Sequence, residues 1–297
     1  ANPGAVPSIN EGQLREIPAP VPPLSEQRAI AAFLDRETAR IDGLIEKKQR
    51  QIELLQEKRA ALISHAVTKG LNPKAKLKDS GIEWLGQVPE HWEVKKLGLI
   101  STSLQTGPFG SQLHSSDYVD NGIPIINPAN IQNGEIVPDN QCTVDEATFQ
   151  RLSRHRLFEG DIVFARRGEM GRCALVTAES DGFLCGTGSL RVELNKRLVD
   201  PHFISLFLST AGVKDHLLLE SVGSTMDNLN TGILARIPIA TPPLVEQVVI
   251  RQYVAGSLQQ IGSTAGKISD SIAMLREYRI ALISAAVTGK MDVREEE

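Results

Sequence analysis

Apolar residues recur at intervals of three and four along two stretches of the chain, a spacing that predicts two long helices. Each stretch carries two such rows, and the first row consists of Leu34, Ile41, Lys48, Leu55 and Leu62 in one stretch and of Val254, Ile261, Ile268, Leu275 and Leu282 in the other. A seven-residue repeat of this kind is typical of a coiled-coil seam. We therefore expect the two helices to pair antiparallel, each about 65 Å long. A helical hairpin that only buries itself is the alternative.

The two helical stretches are copies of one segment, separated by 220 residues. Residues 17–71 match residues 237–291 without a gap, and 21 of these 55 positions are identical. A Pro-Pro pair opens each copy, which is a common helix start because the first helical position needs no N–H. The copies predict conserved spacer helices over residues 24–76 and 244–291.

The ends of the chain extend this repeat. Residues 8–14 match residues 228–234 at the same offset. We therefore expect residues 1–23 to be the tail of an earlier copy of the middle region. Residues 292–297 are predicted to be a short tail after the second helix.

The middle of the chain, residues 77–243, lacks long helical periods. Short β-branched runs between Gly, Asn and Pro turns predict strands, at Ile123–Ile126, Asp161–Ala165, Arg172–Thr177 and Leu190–Leu194. Helices are predicted at Val144–Leu152 and Pro201–Leu219. The predicted fold is an α/β (α+β) domain together with two long, coiled-coil-like antiparallel helices.

The loops of the predicted middle domain are rich in side chains that can hydrogen-bond to DNA. Arg reads guanine with two hydrogen bonds, Asn and Gln read adenine, and Ser, Thr and glycine N–H groups suit phosphates. Residues 166–172 are predicted to form a hairpin tip with three arginines, and residues 224–228 form a further polar loop. The candidate DNA-binding residues are Ser111, Gln112, His114, Ser115, Asn127, Asn130, Gln132, Arg166, Arg167, Arg172, Thr187 and Ser189.

Charge restricts where DNA contact is expected. The net charge is −4, which argues against a chain that binds nucleic acid simply by being basic. Residues 78–245 contain 14 basic and 20 acidic side chains. Six arginines nevertheless cluster between positions 151 and 172. Any nucleic-acid contact is therefore predicted to be local.

Motif searches exclude the common catalytic and metal sites. The sequence has no GxxxxGK[ST] phosphate loop, no HExxH and no GxSxG. Its three cysteines, Cys142, Cys173 and Cys185, have no CxxC spacing, so they predict thiols in a reducing compartment and not a zinc site. No run of 18 apolar residues is present and the first residues do not look like a signal peptide. We expect a cytoplasmic protein with no catalytic site.

Three segments together resemble a known family. Pro-Pro-Leu-x-Glu-Gln, followed by a long helix that ends Ala-Leu-Ile-Ser-x-Ala-Val-Thr, resembles the specificity subunit of Type I restriction–modification systems. Residues 79–97 are similar to that family's entry into a target recognition domain, and residues 160–166 to the strand before its hairpin. The resemblance spans about residues 9–291.

The resemblance implies a function. Subunits of this family have two recognition domains that each read one half of a split DNA sequence, separated by paired helices, and they carry no chemistry. Adenine methylation belongs to modification subunits that bind S-adenosylmethionine, and cleavage to a separate ATP-driven restriction subunit. The resemblance therefore implies no cofactor and no metal in this chain. It places the contacts with modification subunits on the helices, at Leu55, Leu62, Ile63, Leu275, Leu282 and Ile283.

This sequence departs from the family pattern because it holds one recognition domain instead of two. It is either a half-length subunit that pairs with a second copy or a fragment. Two other functions stay open. One is a self-contained enzyme on DNA, and the other is a helical adaptor that binds a partner protein without reading DNA.

Overall fold

The computed structural model describes residues 11–16, 20–221 and 229–293. The predicted polar loop at 224–228 and the matching residues 8–10 lie outside the described residues. The chain divides into two compact units, Ala1–Gln56 with Ile261–Glu297 and Glu57–Gln260. Its helices are α1 (Glu11–Arg15), α2 (Leu24–Lys69), α3 (Glu146–Arg151), α4 (Pro201–Leu208), α5 (Ala211–Ser221), α6 (Thr231–Arg236) and α7 (Leu244–Val287).

Strands are confined to the second unit in the part of the chain that the structure describes. In chain order they are β1 (Leu77–Asp79), β2 (Gln87–Pro89), β3 (Glu93–Lys96), β4 (Ser101–Thr106), β5 (Tyr118–Val119), β6 (Ile123–Ile126), β7 (Ile131–Gln132), β8 (Glu135–Ile136), β9 (Thr143–Val144), β10 (Ile162–Ala165), β11 (Cys173–Leu175), β12 (Leu184–Cys185), β13 (Ser189–Leu194) and β14 (Pro238–Thr241). These strands and helices confirm the mixed fold predicted for the middle of the chain.

The first unit is held together by a seam between α2 and α7. Ile41 and Leu282 are buried in one apolar cluster, with Ile45 and Leu275 packed against it. The Arg279 guanidinium also pairs with the Asp42 carboxylate, with Nε and Oδ1 3.0 Å apart. Positions rise along α2 as their partners fall along α7, so the two helices are antiparallel as predicted.

Both long helices end earlier than the sequence pattern predicts. Helix α2 stops at Lys69 instead of residue 76, and α7 stops at Val287 instead of residue 291. Gly70 follows α2 with a φ of +74°, a left-handed conformation that terminates helices and favours glycine. A Cβ at this position would lie 3.2 Å from Cζ2 of Trp92. The apolar heptad row itself ends at Leu62, so the pattern does not mark the residue at which the helix must turn.

The second unit is built on a four-stranded antiparallel sheet with the order β11-β10-β13-β4. A smaller sheet has the order β12-β6-β9-β5, with β12 parallel to β6. Helix α4 supplies the buried side chains Phe203 and Phe207 to the main core. The predicted helix over 201–219 is two helices, because the chain turns at Ser209 and Thr210 before α5 begins.

Candidate nucleic-acid interface

Four polar segments meet at one end of the main sheet, and we call residues 106–116, 127–132, 166–172 and 186–189 the loop cluster. The Arg166 amide donates to the Gly188 carbonyl at 2.8 Å, and the Gly107 amide donates to the Ser189 carbonyl at 2.9 Å. Glycines make this approach possible, since a Cβ on Gly107 would lie 1.9 Å from the Gly186 carbonyl oxygen. A Cβ on Gly186 would lie 2.2 Å from Asn127 Oδ1, so the structure brings together all four segments that supplied the predicted DNA-binding residues.

The hairpin predicted around the three arginines is present. Strands β10 and β11 are antiparallel neighbours, and residues 166–172 connect them with positive φ at Gly168 and Gly171. Arg167 is exposed, whereas Arg166 and Arg172 are half-buried. The nearby Glu169 carboxylate pairs with Lys214 at 3.0 Å. This ion pair lowers the pKa of Glu169, so the acidic residue of the tip is neutralised by a neighbouring cation.

Arg166 is the arginine that the loop cluster holds most firmly. Its Nε donates to the Leu229 carbonyl at 3.1 Å. Its guanidinium carbon lies 5.6 Å from the centre of the Phe109 ring, which is within cation–π distance. Phe109 is a large aromatic side chain that stays 51% exposed. No pattern along the sequence singles out Phe109, because only the folded loops bring it to Arg166.

The segment 106–116 is shaped by its own polar side chains. Gln112 accepts from the Phe109 amide at 3.3 Å through Oε1. Its carbonyl accepts from Arg151 Nη1 at 2.5 Å. Gln112 therefore maintains the loop while it is half-buried. Ser111, His114 and Ser115 are exposed and stay candidates for DNA contact.

Arg151 and Asp117 form an ion pair beside this segment. Arg151 Nη2 lies 3.1 Å from Asp117 Oδ2, and the same carboxylate oxygen accepts from the His114 amide at 2.8 Å. The amide hydrogen bond and the Arg151 charge hold the pKa of Asp117 below its usual value. Asp117 therefore stays ionised and anchors Arg151 near the exposed hydroxyls.

Two of the predicted DNA-binding residues are buried, which corrects the sequence prediction. Asn130 is 6% exposed. It accepts from the Asn127 amide at 3.0 Å and donates to the Val137 carbonyl at 3.0 Å, so its amide builds the loop. Ser189 is 0% exposed at the start of β13. Neither side chain is accessible to a base edge, because both lie beneath the surface of the loop cluster.

The remaining candidates differ in their exposure and in the hydrogen bonds that they form within the protein. Asn127 is half-buried and donates through Nδ2 to the Cys142 sulfur at 2.9 Å. Gln132 is exposed and donates to the Ala129 carbonyl at 3.1 Å. Thr187 is exposed beside Gly186 and Gly188. Of these three, Gln132 and Thr187 present accessible polar atoms.

The residues predicted to bind modification subunits are mostly used within the chain. Ile63 belongs to the core of the second unit, with Leu62 packed against it. Leu282 is buried in the seam of the first unit, with Leu275 packed against it. Leu55 and Ile283 are half-buried. Burial of Ile63 in the core of the second unit and of Leu282 in the seam of the first corrects the partner prediction for these two residues.

Other apolar side chains on the same helices are exposed. They lie outside the heptad rows that the sequence reasoning followed, so the seam pattern did not reveal them. They include Leu44 and Leu54 on α2 and Met274, Tyr278 and Ile280 on α7.

Two classes of site are not found in the described part of the chain. Within residues 11–16, 20–221 and 229–293, no group of three or more His, Cys, Asp or Glu side chains could hold a metal ion. Over the same residues, none of the helices combines the length and the apolar character that crossing a membrane requires.

Comparison with known proteins identifies the family. A model of the type I restriction modification DNA specificity domain matches residues 2–54 and 89–271, which is more than half of the chain. The chain belongs to this family. The predicted resemblance is therefore confirmed.

Relatives of the family agree with this assignment. The MjaVIII type I restriction enzyme specificity subunit of Methanocaldococcus jannaschii is 24% identical over 293 residues, which cover 97% of this chain and 65% of that protein. The EcoKI type I restriction enzyme specificity subunit of Escherichia coli is 25% identical over 213 residues, which cover 69% of this chain and 44% of that protein. The chain thus spans less than two thirds of the length of these relatives.

Solved structures share the fold. A crystal structure of the HsdS subunit from Thermoanaerobacter tengcongensis superimposes with a TM-score of 0.57 at 17% identity, covering 97% of this chain and 64% of that one. A chain from a study of type I R-M complex assembly and conformational transition gives a TM-score of 0.67 at 19% identity, covering 91% and 60%. The combination of a mixed domain with long helices is therefore the fold of this family.

Proposed function

We propose that this chain reads one half of a bipartite DNA target through the loop cluster and directs adenine methylation and restriction subunits to it. Family membership gives the general role. The observation that carries the proposal for these residues is the convergence of four polar segments around Arg166 at one end of a rigid sheet. Sites held on such a scaffold lose little freedom on binding.

The local charge of this surface supports DNA as the ligand. Arg167 and Arg151 are exposed near Ser111, Ser115 and Thr187, a set that suits phosphates and base edges together. The net charge of −4 gives the whole chain no general attraction to DNA, so we assign the attraction to the cluster. Confined attraction favours reading at a specific site over general coating of the duplex.

We propose that the chain itself is not a catalyst. Methyl transfer and cleavage would belong to partner subunits, and S-adenosylmethionine would bind to the modification subunit. The name of the MjaVIII relative as a specificity subunit supports this division. Methyl transfer or DNA cleavage by the purified chain alone would contradict it.

The partner surface proposed for the modification subunit is the outer face of the long helices. Leu44 and Leu54 on α2, and Met274, Tyr278 and Ile280 on α7, expose apolar area there. Exposed apolar side chains in a group commonly mark protein interfaces. Leu55 and Ile283, which are half-buried, would lie at the edge of such a contact. A second copy of the chain is the further partner that we propose, because it would supply the second half-site.

The test of the function is the chain assembled with the modification subunit of its system. We expect the complex to protect a split DNA sequence and to methylate adenine within it, as read by single-molecule methylation mapping in cells with the intact system. Replacing residues 111–116 by a Gly-Ser segment of equal length should abolish methylation at that site while the complex still assembles. Assembly without any sequence-selective protection would instead support the helical adaptor.

A further inference from the structure

Arg166 differs from the other arginines of the loop cluster because hydrogen bonds to two other segments fix it. Its amide donates to Gly188 at 2.8 Å and its carbonyl accepts from the Leu229 amide at 3.0 Å. Its side-chain Nε then donates to the Leu229 carbonyl at 3.1 Å. The backbone and the root of the guanidinium are therefore both fixed before any ligand arrives.

The use of Nε determines which atoms are left for a ligand. An arginine has five N–H donors, four of them on the two terminal nitrogens. Among the residues that the structure describes, none accepts from Nη1 or Nη2 of Arg166. A base reached by this side chain would therefore be met by the terminal pair, end-on, and the pair spacing suits the O6 and N7 acceptors of guanine.

Phe109 lies beside this guanidinium. Its ring centre lies 5.6 Å from the guanidinium carbon, and the planar group can stack on an aromatic face. The ring is itself braced, since Pro108 is buried before it and Gly110 has a φ of +60° after it. The Phe109 amide also donates to Gln112. The Phe109 ring is thus 51% exposed and lies within stacking distance of the Arg166 guanidinium.

We propose that Arg166 reads a single guanine of the half-site through Nη1 and Nη2, and that Phe109 is the positioning residue that orients it. This inference rests on the proposed DNA-reading function and adds the base and the two side chains. Arg167 is the contrasting residue, because it is exposed on the hairpin tip and we assign it to phosphate. A phosphate contact contributes affinity equally to all sequences, whereas a two-bond base contact contributes to one base.

The experiment selects duplexes from a library with randomised half-site positions, using the chain assembled with the modification subunit of its system. Base preferences are read by sequencing the bound fraction. We expect the unaltered complex to prefer guanine at one position of the half-site. Arg166→Lys should reduce this preference for guanine by at least about fivefold, while the preferences at the other positions stay the same. Lysine keeps the charge and loses the two-bond geometry. Preserved preferences elsewhere also show that the variant is folded.

Variants at Phe109 test the positioning role. We expect Phe109→Leu to weaken the preference at the same position, and Phe109→Tyr to retain it because the aromatic face is kept. Arg167→Ala should lower affinity evenly without changing any base preference. The inference is overturned if Arg166→Lys leaves every preference intact or reduces all of them evenly, and the role of Phe109 is overturned if Leu and Tyr behave alike. A complex that selects no sequence at all before mutation would overturn the proposed function itself.

Discussion

At the scale of single residues, the role of a polar side chain depends on whether its polar atoms form hydrogen bonds inside the protein or stay exposed. Asn130 and Gln132 lie two positions apart, yet Asn130 is 6% exposed and builds the loop while Gln132 is exposed. Residue type suggested the same role for both of them. Burial separates them, because a buried amide must satisfy its hydrogen bonds within the protein.

The cysteines give a prediction at this scale. Burial raises the pKa of Cys173 and of Cys185 to about 12, whereas Cys142 is half-buried. Since the thiolate is the reactive form, we expect iodoacetamide at pH 8 to label Cys142 first in the native chain. All three should be labelled in denaturant. Mass spectrometry of the tryptic peptides measures the order, and equal native labelling of Cys185 and Cys142 would contradict it.

His155 predicts a dependence of stability on pH. The ring is 1% exposed and its Nδ1 lies 3.2 Å from Gln105 Nε2. Burial, followed by the charge of Arg154, lowers the pKa of His155 in the folded state. The unfolded chain therefore binds this proton more tightly, so stability is intact above about pH 6.5 and falls as pH drops below it.

Removing the titrating ring should remove this dependence. We expect His155→Gln to lose less of its free energy of unfolding than the parent chain between pH 7.5 and pH 5.5. Urea denaturation at the two pH values measures the difference. An identical loss in both proteins would assign the acid sensitivity to other groups.

At the scale of elements, the repeated Pro-Pro-Leu-x-Glu-Gln segment has one conformation and two environments. Gln247 donates to the Pro242 carbonyl at 2.8 Å, and Gln27 donates to the Pro22 carbonyl at the same distance. Gln247 is buried and also accepts from the Asp200 amide at 2.8 Å. Glu246 beside it accepts from Trp92 Nε1 at 3.2 Å. The motif therefore starts both helices in the same way. In the second copy, its Glu and Gln side chains also bond to distant parts of the chain.

The two copies provide a matched pair of variants. We expect Gln247→Ala to lower the free energy of unfolding by about 1–3 kcal/mol, because it leaves buried polar groups without partners. Gln27→Ala removes an exposed side chain and should cost about 0.5 kcal/mol or less. Thermal or urea denaturation of both variants gives the comparison. Equal costs would mean that the bond within the motif, and not the buried contact, carries the stability.

For the whole molecule, the distribution of charge matters more than its sum. The net charge is −4, while the loop cluster holds three arginines, of which Arg167 is exposed and Arg166 and Arg172 are half-buried. A binding surface that neutralises few phosphates has a shallow dependence of affinity on salt. Specific binding by the assembled complex should therefore resist salt better than coating by a uniformly basic protein.

Arg167→Ala tests this picture in the assembled complex. We expect affinity to fall evenly for all sequences and the slope of log K against log salt to shrink by about one, as for the loss of one phosphate contact. Titrations of labelled target DNA at several salt concentrations measure both quantities. Arg154→Ala is the matched control for an exposed arginine on the segment after α3, and an unchanged slope for Arg167→Ala would remove the hairpin tip from the interface.

The sequence by itself determined the antiparallel seam, most of the long strands and the hairpin at 166–172. These features depend on local periodicity and turn chemistry, which a single segment carries within itself. It also supplied the family, because the repeated motif and the entry segment are contiguous. The predicted bounds ran past the ends of both helices. For α2, a heptad pattern does not show that Gly70 must turn against Trp92.

Only the tertiary structure decided which polar residues are accessible and which residues contact one another within the loop cluster. The loop cluster is assembled by hydrogen bonds between segments far apart in the chain, such as Arg166 to Leu229. The pairing of Arg166 with Phe109 and the burial of Ser189 follow from that assembly. Contacts of this kind depend on the approach of backbones in three dimensions, and no periodicity along the chain encodes them.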